Sequence, residues 1–244
     1  MTTAEYLSGV PGRLLIIADH ASNAVPTEIA LGVDAADLAK HIAWDIGTAA
    51  LARGLSGALG APAILATVSR LVADCNRAPE DDGAIPSASD GIPVPGNVSL
   101  SAEARRARLE TWHNPYHAAI AAALDTLAPR LLVSIHSFTP GLATRPGETR
   151  PWQVALLHNR DSRAARIAIG ALTKEGFTVG DNQPYSGAVY GYTTDRHAET
   201  RGLPYLTFEI RQDLLADERA IAAWTARLAR VIGIVESELL EVIA

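Results

Sequence analysis

The stretch Leu131-Leu132-Val133-Ser134-Ile135-His136 decides the fold, because it is an almost purely apolar run that ends on an imidazole. An earlier stretch has the same pattern: Leu14-Leu15-Ile16-Ile17-Ala18 ends at Asp19-His20. Short apolar runs of this kind predict strands that are buried on both faces, as in parallel sheets. In open α/β sheets, ligands bind at the carboxyl ends of the strands. We therefore expect both histidines at the functional edge of the sheet.

Strand-like runs alternate with segments of helical period along the rest of the chain. The predicted strands are 13–19, 63–68, 131–136, 152–157, 177–180 and 205–210. The predicted helices are 34–58, 101–127, 161–174, 192–201 and 217–241, with a long loop at 80–98. This alternation predicts an α/β fold, a three-layer α/β/α sandwich around a mostly parallel mixed sheet. Because no repeat or linker divides the chain, we expect a single domain over residues 1–244.

Composition excludes several classes of protein. With a formal net charge of −6 and no basic run, the chain does not favour nucleic acid. No apolar stretch reaches the roughly 20 residues that span a bilayer. Residues 1–12 lack the pattern of a signal peptide, so we expect a cytoplasmic protein. The single Cys75 excludes an internal disulfide framework, and a metal site would have to use His, Asn and carboxylate ligands.

A third apolar run, Tyr205-Leu206-Thr207-Phe208-Glu209-Ile210-Arg211, carries a carboxylate in its interior. An ionised glutamate in a buried strand is costly unless it is paired or lies near a metal ion. Glu209 could pair with Arg211, which is two residues away and therefore on the same face of the strand. Alternatively, Glu209 is a general base beside a metal ion. The pattern leaves both interpretations open.

The residues after the first strand could ligate a metal. Imidazole is a common zinc ligand, and Asn23 follows His20 by three residues, so both could face one point if the chain turns there. The alternative is that Asn23 caps the turn while His20 is a buried, hydrogen-bonded core residue. His136 has the same placement after its strand, which favours a shared site. Whether the two histidines meet depends on the order of the strands, which the pattern does not give.

Arg70, Asn76 and Arg77 follow the second predicted strand in one short segment. Arginine forks bind carboxylates in bidentate fashion, and asparagine adds a directional bond, so this segment suits an acidic substrate. The alternative is a structural ion pair of an arginine with Asp74.

Other polar side chains are less decisive. Asp45 lies in an otherwise apolar helical pattern and could orient a ligand histidine or be a surface acid. Tyr185 lies in a turn-rich segment and could place a phenol over the site. His113 and His117 have zinc-compatible spacing on a helix, but their context favours packing.

The combined motifs resemble the N-formylglutamate amidohydrolase family over about residues 13–215. They are His-Ala-Ser-Asn-x-x-Pro from His20, Trp-Asp-Ile-Gly from Trp44, Ser-Arg-x-x-x-Asp-x-Asn-Arg from Ser69, Pro-Tyr-His from Pro115, His-Ser-Phe-Thr-Pro from His136 and Phe-Glu-Ile-Arg-Gln-Asp from Phe208. The resemblance implies a fold similar to that of zinc carboxypeptidases. It also implies one Zn²⁺ ion, or another divalent metal.

The resemblance assigns roles to residues of this chain. It implies that His20, Asn23 and His136 bind the metal and that Glu209 is the catalytic base. Substrate carboxylates would be held by Arg70, Asn76, Arg77 and Arg211. Asn23 stands where the carboxypeptidase pattern has a glutamate ligand. Asp19 is a nearby carboxylate, but as the neighbour of His20 it is expected to point to the opposite face.

The implied reaction is hydrolysis of the N-acyl amide of a small acidic amino acid, such as N-formyl-L-glutamate to glutamate and formate. A carboxypeptidase or another N-acyl-amino-acid amidase could use the same residues. A metal-poor, non-catalytic binder of acidic ligands is an alternative of another class, favoured by the missing carboxylate at position 23. We expect no nucleic-acid or membrane partner, and the oligomeric state is not predicted.

Overall fold

The apolar runs form the central strands of the sheet in the computed structural model, which describes residues 2–241. The strands are β1 (Ala4–Leu7), β2 (Leu14–Ala18), β3 (Ala63–Ala66), β4 (Ala88–Ser89), β5 (Ile92–Pro93), β6 (Leu131–Phe138), β7 (Val154–Leu157), β8 (Val179–Asp181) and β9 (Tyr205–Arg211). In the main sheet the order is β1-β3-β2-β6-β9-β7-β8, and β4 and β5 form a separate hairpin. Every residue of β2 and β6 is buried, as continuous apolar runs require.

Parallel pairing dominates this sheet. Strand β2 lies parallel to both β3 and β6, β6 is parallel to β9, and β7 is parallel to β8. The antiparallel pairs are β1 with β3 and β7 with β9. The prediction of an α/β fold with a mostly parallel mixed sheet is confirmed.

Helices cover both faces of the sheet. They are α1 (Ala35–Leu38), α2 (Thr48–Leu59), α3 (Ala102–Arg108), α4 (Asn114–Leu127), α5 (Arg163–Lys174), α6 (Gly187–Tyr190), α7 (Tyr192–His197) and α8 (Glu218–Glu241). Helices α2, α5 and α8 bury apolar side chains on one face, and α4 does so on the other. No helix among residues 2–241 is long and apolar enough to cross a membrane.

The sheet brings the predicted site residues to one edge. Strands β2 and β6 are parallel neighbours. His20 follows β2 and His136 is the third residue from the end of β6, so both lie at the same edge of the sheet. Strand β9 lies on the far side of β6, in a register that pairs His136 with Glu209. This strand order places His20, His136 and Glu209, which come from three separate apolar runs, beside one another.

The prediction of one helix over 34–58 is wrong. The chain forms α1, then turns over 39–47, and begins α2 only at Thr48. Gly47 has a φ of 84°, in the left-handed region that interrupts a right-handed helix. The backbone N–H of Asp45 donates to the carbonyl of His20 at 3.0 Å instead of extending a helix. The prediction failed because apolar residues recur at helical spacing across the turn as well as in the two helices.

Three other segments differ from expectation. The predicted helix over 101–127 is divided into α3, a π-helical turn at Leu109–His113, and α4, with Pro115 in the first turn of α4. The edge strand β1 was not predicted, because its four residues show no sustained apolar run. The 80–98 loop contains the β4–β5 hairpin.

We expect Gly47→Ala to lower the free energy of unfolding by about 1–3 kcal/mol, the cost of a strained backbone conformation. An added Cβ would also lie 2.6 Å from the Cβ of Leu215. Gly57→Ala in α2 is the control, because a Cβ there meets nothing within 4 Å and should stabilise the helix by roughly 0.5–1 kcal/mol. Urea unfolding measures both. Equal stability of the two variants would contradict this account of the turn.

Candidate active site

A cavity of about 370 Å³ opens at the carboxyl ends of β2, β6 and β9. Its lining includes His20, Asp45, His136 and Glu209, together with Arg70, Asp74, Arg77, Tyr185 and the β4–β5 hairpin. A concave site with a few converging polar groups is typical of ligand and substrate binding. The candidate residues from distant parts of the chain therefore share one cavity.

Asp45 joins the two histidines. Its Oδ2 atom lies 2.9 Å from His136 Nδ1 and 3.3 Å from His20 Nδ1. All three side chains are buried, and one ligand atom from each lies within 4.8 Å of the others. Two imidazole nitrogens and a carboxylate oxygen that converge in this way could hold a metal ion.

The outer nitrogens of both imidazoles face further carboxylates. His20 Nε2 lies 2.7 Å from Asp74 Oδ1. His136 Nε2 lies 3.2 Å from Asp19 Oδ2, at an angle unfavourable for a hydrogen bond, and Tyr116 donates its hydroxyl to Asp19 Oδ1 at 2.8 Å. Metal-ligating histidines commonly donate their other N–H to a carboxylate, which fixes the tautomer and orients the ring.

This cluster requires positive charge. An ionised carboxylate can only accept hydrogen bonds. A neutral imidazole that donates through Nε2 carries a lone pair on Nδ1, so that lone pair would face the Asp45 carboxylate with no proton between them. Burial alone would lower the pKa of His136, but Asp19 and Asp45 raise it well above its ordinary value. Burial would raise the pKa of Asp45, but His20 and His136 lower it far below its ordinary value. A divalent cation between the two Nδ1 atoms and Asp45 meets the same requirement, so these residues fit a metal.

Glu209 is buried beside this cluster. Its Oε2 atom has no hydrogen-bond partner among residues 2–241. Burial raises the pKa of Glu209 to about 7, against the opposing effect of His136. The proposed pair with Arg211 is absent from the described residues, because Arg211 binds Asp213 through Nε at 2.8 Å. A carboxyl group with a near-neutral pKa and a free oxygen in a cavity can accept and return a proton.

Arg70 is bound to the acidic residues of the cluster. Its Nη2 donates to Asp74 Oδ2 at 2.7 Å, and its Nη1 donates to Asp45 Oδ1 at 3.3 Å. The ion pair with Asp74, weighed above as an alternative to substrate binding, is thus present. Arg70 holds both carboxylates in place and still lines the cavity.

Arg77 is the member of the predicted clamp with the most freedom. Its contact with Asp81 is 3.4 Å long, and its guanidinium lies 4.7 Å from the centroid of the Tyr190 ring. The side-chain amide of Asn76 is used within the protein: it donates to the carbonyl of Tyr190 at 2.8 Å and accepts from the N–H of Thr193 at 3.0 Å. Both residues line the cavity, but Arg77 is better placed to bind an anion.

Two predicted residues lie apart from the cluster. The amide of Asn23 donates to the carbonyl of Leu38 at 3.0 Å, so the structure turns it away from His20, and Asp45 supplies the third donor instead. The reason is the turn at 39–47, which carries Asp45 to the site. Arg211 does not contribute to the cavity lining as described.

The remaining polar groups of the cavity come from loops. Tyr185 accepts a hydrogen bond from the buried Arg150 at 3.0 Å. Asp90, at the tip of the β4–β5 hairpin, accepts from the N–H groups of Ala143 and Thr144 at 2.9 Å, and Arg145 follows at the rim. Sequence reasoning missed Arg145 and Arg150 because irregular loops carry no periodicity. The sequence signal that could have indicated the β4–β5 hairpin in the cavity wall is the Asp90-Gly91 dipeptide, which is typical of hairpin turns.

Two histidines, an aspartate and a buried glutamate thus lie at the carboxyl edge of a largely parallel sheet, where α/β proteins commonly bind ligands. Residues 12–216 match the family model of N-formylglutamate amidohydrolase, and the chain belongs to this family. The family resemblance is confirmed, and membership makes the protein a hydrolase that acts on an amide. No protein with curated annotation matches the chain in sequence.

Two solved structures are similar to this chain. Gene product Atu2144 from Agrobacterium tumefaciens is 33% identical, with a TM-score of 0.91 over 97% of this chain and 95% of that chain. N-formylglutamate amidohydrolase from Ralstonia eutropha JMP134 is 17% identical, with a TM-score of 0.75 over 98% of both chains. The second structure shares the fold.

We expect the wild-type chain to bind zinc, and we expect Asp45→Ala and His20→Ala each to lose most of it, because each removes one of three converging donors. Asn23→Ala should keep its zinc, because its amide is bound to a backbone carbonyl. Metal analysis after equilibrium dialysis against ZnCl₂ measures the content. Zinc loss in the Asn23 variant with retention in the Asp45 variant would restore Asn23 as the ligand.

Proposed function

We propose that this protein is a zinc-dependent amidohydrolase that cleaves the N-acyl amide of a small acidic amino acid, with N-formyl-L-glutamate as the reference substrate. The products would be formate and glutamate. His20, Asp45 and His136 would hold the ion, and another divalent metal could replace zinc. Family membership supports the reaction class, and the residues of the cavity support the metal ion and the acidic substrate.

One observation carries this proposal. Both imidazoles direct Nδ1 at the same oxygen of Asp45, while Glu209 lies beside His136 with an oxygen free of partners in the described part of the chain. Catalytic zinc sites have three protein ligands and leave a further position for water or substrate. A pure binding site has no need for a buried carboxylate of this kind. The arrangement therefore favours catalysis over binding alone.

When bound, zinc would polarise the acyl oxygen and lower the pKa of an attacking water to roughly 7. Glu209 accepts a proton from the attacking water and returns it to the departing amine, so that glutamate leaves as a neutral amine. Asp74 binds Nε2 of His20, and Asp19 lies 3.2 Å from Nε2 of His136; both carboxylates favour the tautomer whose Nδ1 lone pair faces the reaction centre.

The substrate's carboxylates would bind at the arginine side of the cavity. Arg77 can turn from its weak contact with Asp81 to a carboxylate, and Arg145 lies at the rim. Arg70 adds positive charge but remains committed to Asp74 and Asp45. Holding the carboxylates in this way would fix the amide near Glu209, so binding energy is used for orientation.

The non-catalytic alternative loses its main support. It depended on the absence of a carboxylate at position 23, and Asp45 now supplies a carboxylate from a different part of the chain. A carboxypeptidase or another N-acyl-amino-acid amidase would use the same groups on a different acyl chain. A panel of N-acyl amino acids, with peptides that carry a C-terminal glutamate, distinguishes these activities.

Glu209→Gln tests the reaction most sharply. The change keeps shape but removes the proton acceptor, so kcat should fall by about 10²–10⁴-fold while zinc is retained. Thr207→Val is the matched control: it lies two residues earlier on the same strand face, it is buried, and its hydroxyl has no partner among residues 2–241. That variant should keep kcat. If Glu209→Gln retained wild-type kcat, Glu209 would not be the base.

Arg77→Lys tests the carboxylate contact. Lysine keeps the charge but loses the bidentate fork, so kcat/KM should fall by about 1.5–3 kcal/mol, tenfold or more. Arg211→Lys should leave kcat/KM nearly unchanged, since Arg211 binds Asp213 outside the cavity. Steady-state kinetics with an acidic and a neutral N-formyl amino acid measure both. The reverse ranking would return Arg211 to the site.

A further inference from the structure

Three buried histidines lie behind the cavity, and none of them has a role in the reaction described above. His113 ends the π-helical turn, His117 lies on α4 and His197 ends α7. All three are almost completely buried, and none lines the cavity. Buried histidines cost conformational freedom and desolvation, so their contacts require an explanation.

The hydrogen bonds of His113 and His117 converge on one segment, residues 74–77. His113 Nε2 lies 2.9 Å from the carbonyl of Arg77, and His117 Nε2 lies 2.9 Å from the carbonyl of Cys75. A carbonyl can only accept, so each Nε2 must carry the hydrogen. This defines the tautomers: two histidine N–H groups bind alternate carbonyls of the 74–77 segment.

A third imidazole supports this arrangement. His117 Nδ1 has no hydrogen in this tautomer, and it accepts from His197 Nε2 at 2.9 Å. The chain of bonds therefore runs from α7 through α4 to the 74–77 segment. Burial lowers the pKa of His117 to about 3 and that of His197 to about 4, so both are neutral near pH 7, as the bonds require.

The side chains of the same segment face the cavity. Asp74 holds His20 Nε2 at 2.7 Å and also pairs with Arg70. Arg77 lines the cavity and stacks over Tyr190. The carbonyls that bind the histidines thus belong to the residues beside Asp74 and at Arg77. Any shift of these carbonyls would move a group that orients His20 and a group that faces the substrate.

We propose that His113 and His117 are positioning residues, which hold the 74–77 segment so that Asp74 keeps His20 in line and Arg77 reaches the substrate carboxylate. His197 supports His117 from behind. The effect on substrate and metal binding rests on the proposed function. The hydrogen bonds that fix the backbone of residues 74–77 do not depend on it. Small displacements of positioned groups can cost up to about 10²-fold in rate, so this hold matters for activity.

Hydrogen–deuterium exchange tests the hold directly. The N–H groups of Asn76 and Arg77 donate to Asp74 at 2.9 and 3.2 Å, so they report on the segment. His117→Leu removes the donor to Cys75, and we expect both amides to exchange about tenfold faster or more. His117→Gln returns an N–H donor at the position of Nε2 and should restore slow exchange. Thr193→Val is the second variant, for use if His117→Leu does not fold. It removes another donor to the carbonyl of Cys75, at 3.1 Å, and should also speed exchange of these amides.

Leu228→Ala is the control for general loss of stability. Leu228 is buried in α8, in the core on the other face of the sheet. The Leu228→Ala variant should lower Tm, but it should not speed amide exchange specifically at residues 74–77. If His117→Leu and Thr193→Val left exchange of this segment unchanged, or if Leu228→Ala reproduced their effect there, the proposal would be overturned.

Kinetics and metal binding then separate the two consequences. His113→Leu should raise KM more than it lowers kcat, because it frees the carbonyl of Arg77, and His113→Gln should reverse this change. His117→Leu should weaken zinc binding by up to about tenfold, the lower end of the cost of losing a direct outer partner of a ligand. A wild-type chain that binds no zinc and cleaves no N-acyl amino acid would refute the proposed function, and the exchange result would still decide the positioning role.

Discussion

The close approach of Asp45 Oδ2 to two imidazoles is the interaction on which the rest of the site depends. Asp45, Asp19, Asp74 and Glu209 are four buried carboxylates, and Arg70 pairs directly with two of them, Asp45 and Asp74. Buried charges of one sign are costly unless they are paired. The site therefore needs further positive charge, and the three converging donors are placed to receive it from a metal ion.

The fold supplies this concentration of charge from rigid elements. Parallel pairing brings His20 and His136 to the same edge, and the register with β9 adds Glu209. Asp45 arrives from a turn that Gly47 permits, since its backbone conformation excludes a helix. Sites built on strands and held by surrounding hydrogen bonds keep their geometry better than sites on loops. The cavity combines both, because its substrate side is built by the hairpin and the loop after β6.

Much of this could be predicted, and the reasons are local. The apolar runs ending at His20 and His136 predict the buried strands, and the carboxylate within the run around Glu209 indicates a position that the structure places in the cavity lining. The spacing of Arg70 and Asp74 indicates a possible ion pair, and the structure contains it. The order of strands, which decides whether the histidines meet, depends on pairing between distant segments and leaves no mark on local pattern. The same lack of long-range information explains why the pattern places Asp45 in a helix and predicts Asn23, three residues after His20, as the ligand.

His113 and His117 show a further limit of what local sequence patterns reveal. The spacing of His113 and His117 indicated packing or a metal, but their bonds go to backbone carbonyls of a segment about 40 residues away in the sequence. A function exerted through the backbone of another segment cannot be inferred from spacing alone. It becomes visible only when donors and acceptors are counted in the folded chain.

X-ray absorption at the zinc edge, on protein reconstituted with one equivalent of Zn²⁺, tests the central claim most directly. The account predicts two imidazole nitrogens at roughly 2.0–2.1 Å with the remaining ligands oxygen, and it predicts that Asp45→Asn changes this shell while Asn23→Ala leaves it unchanged. A shell without imidazole, or one that changes in the Asn23 variant and not in the Asp45 variant, would contradict it.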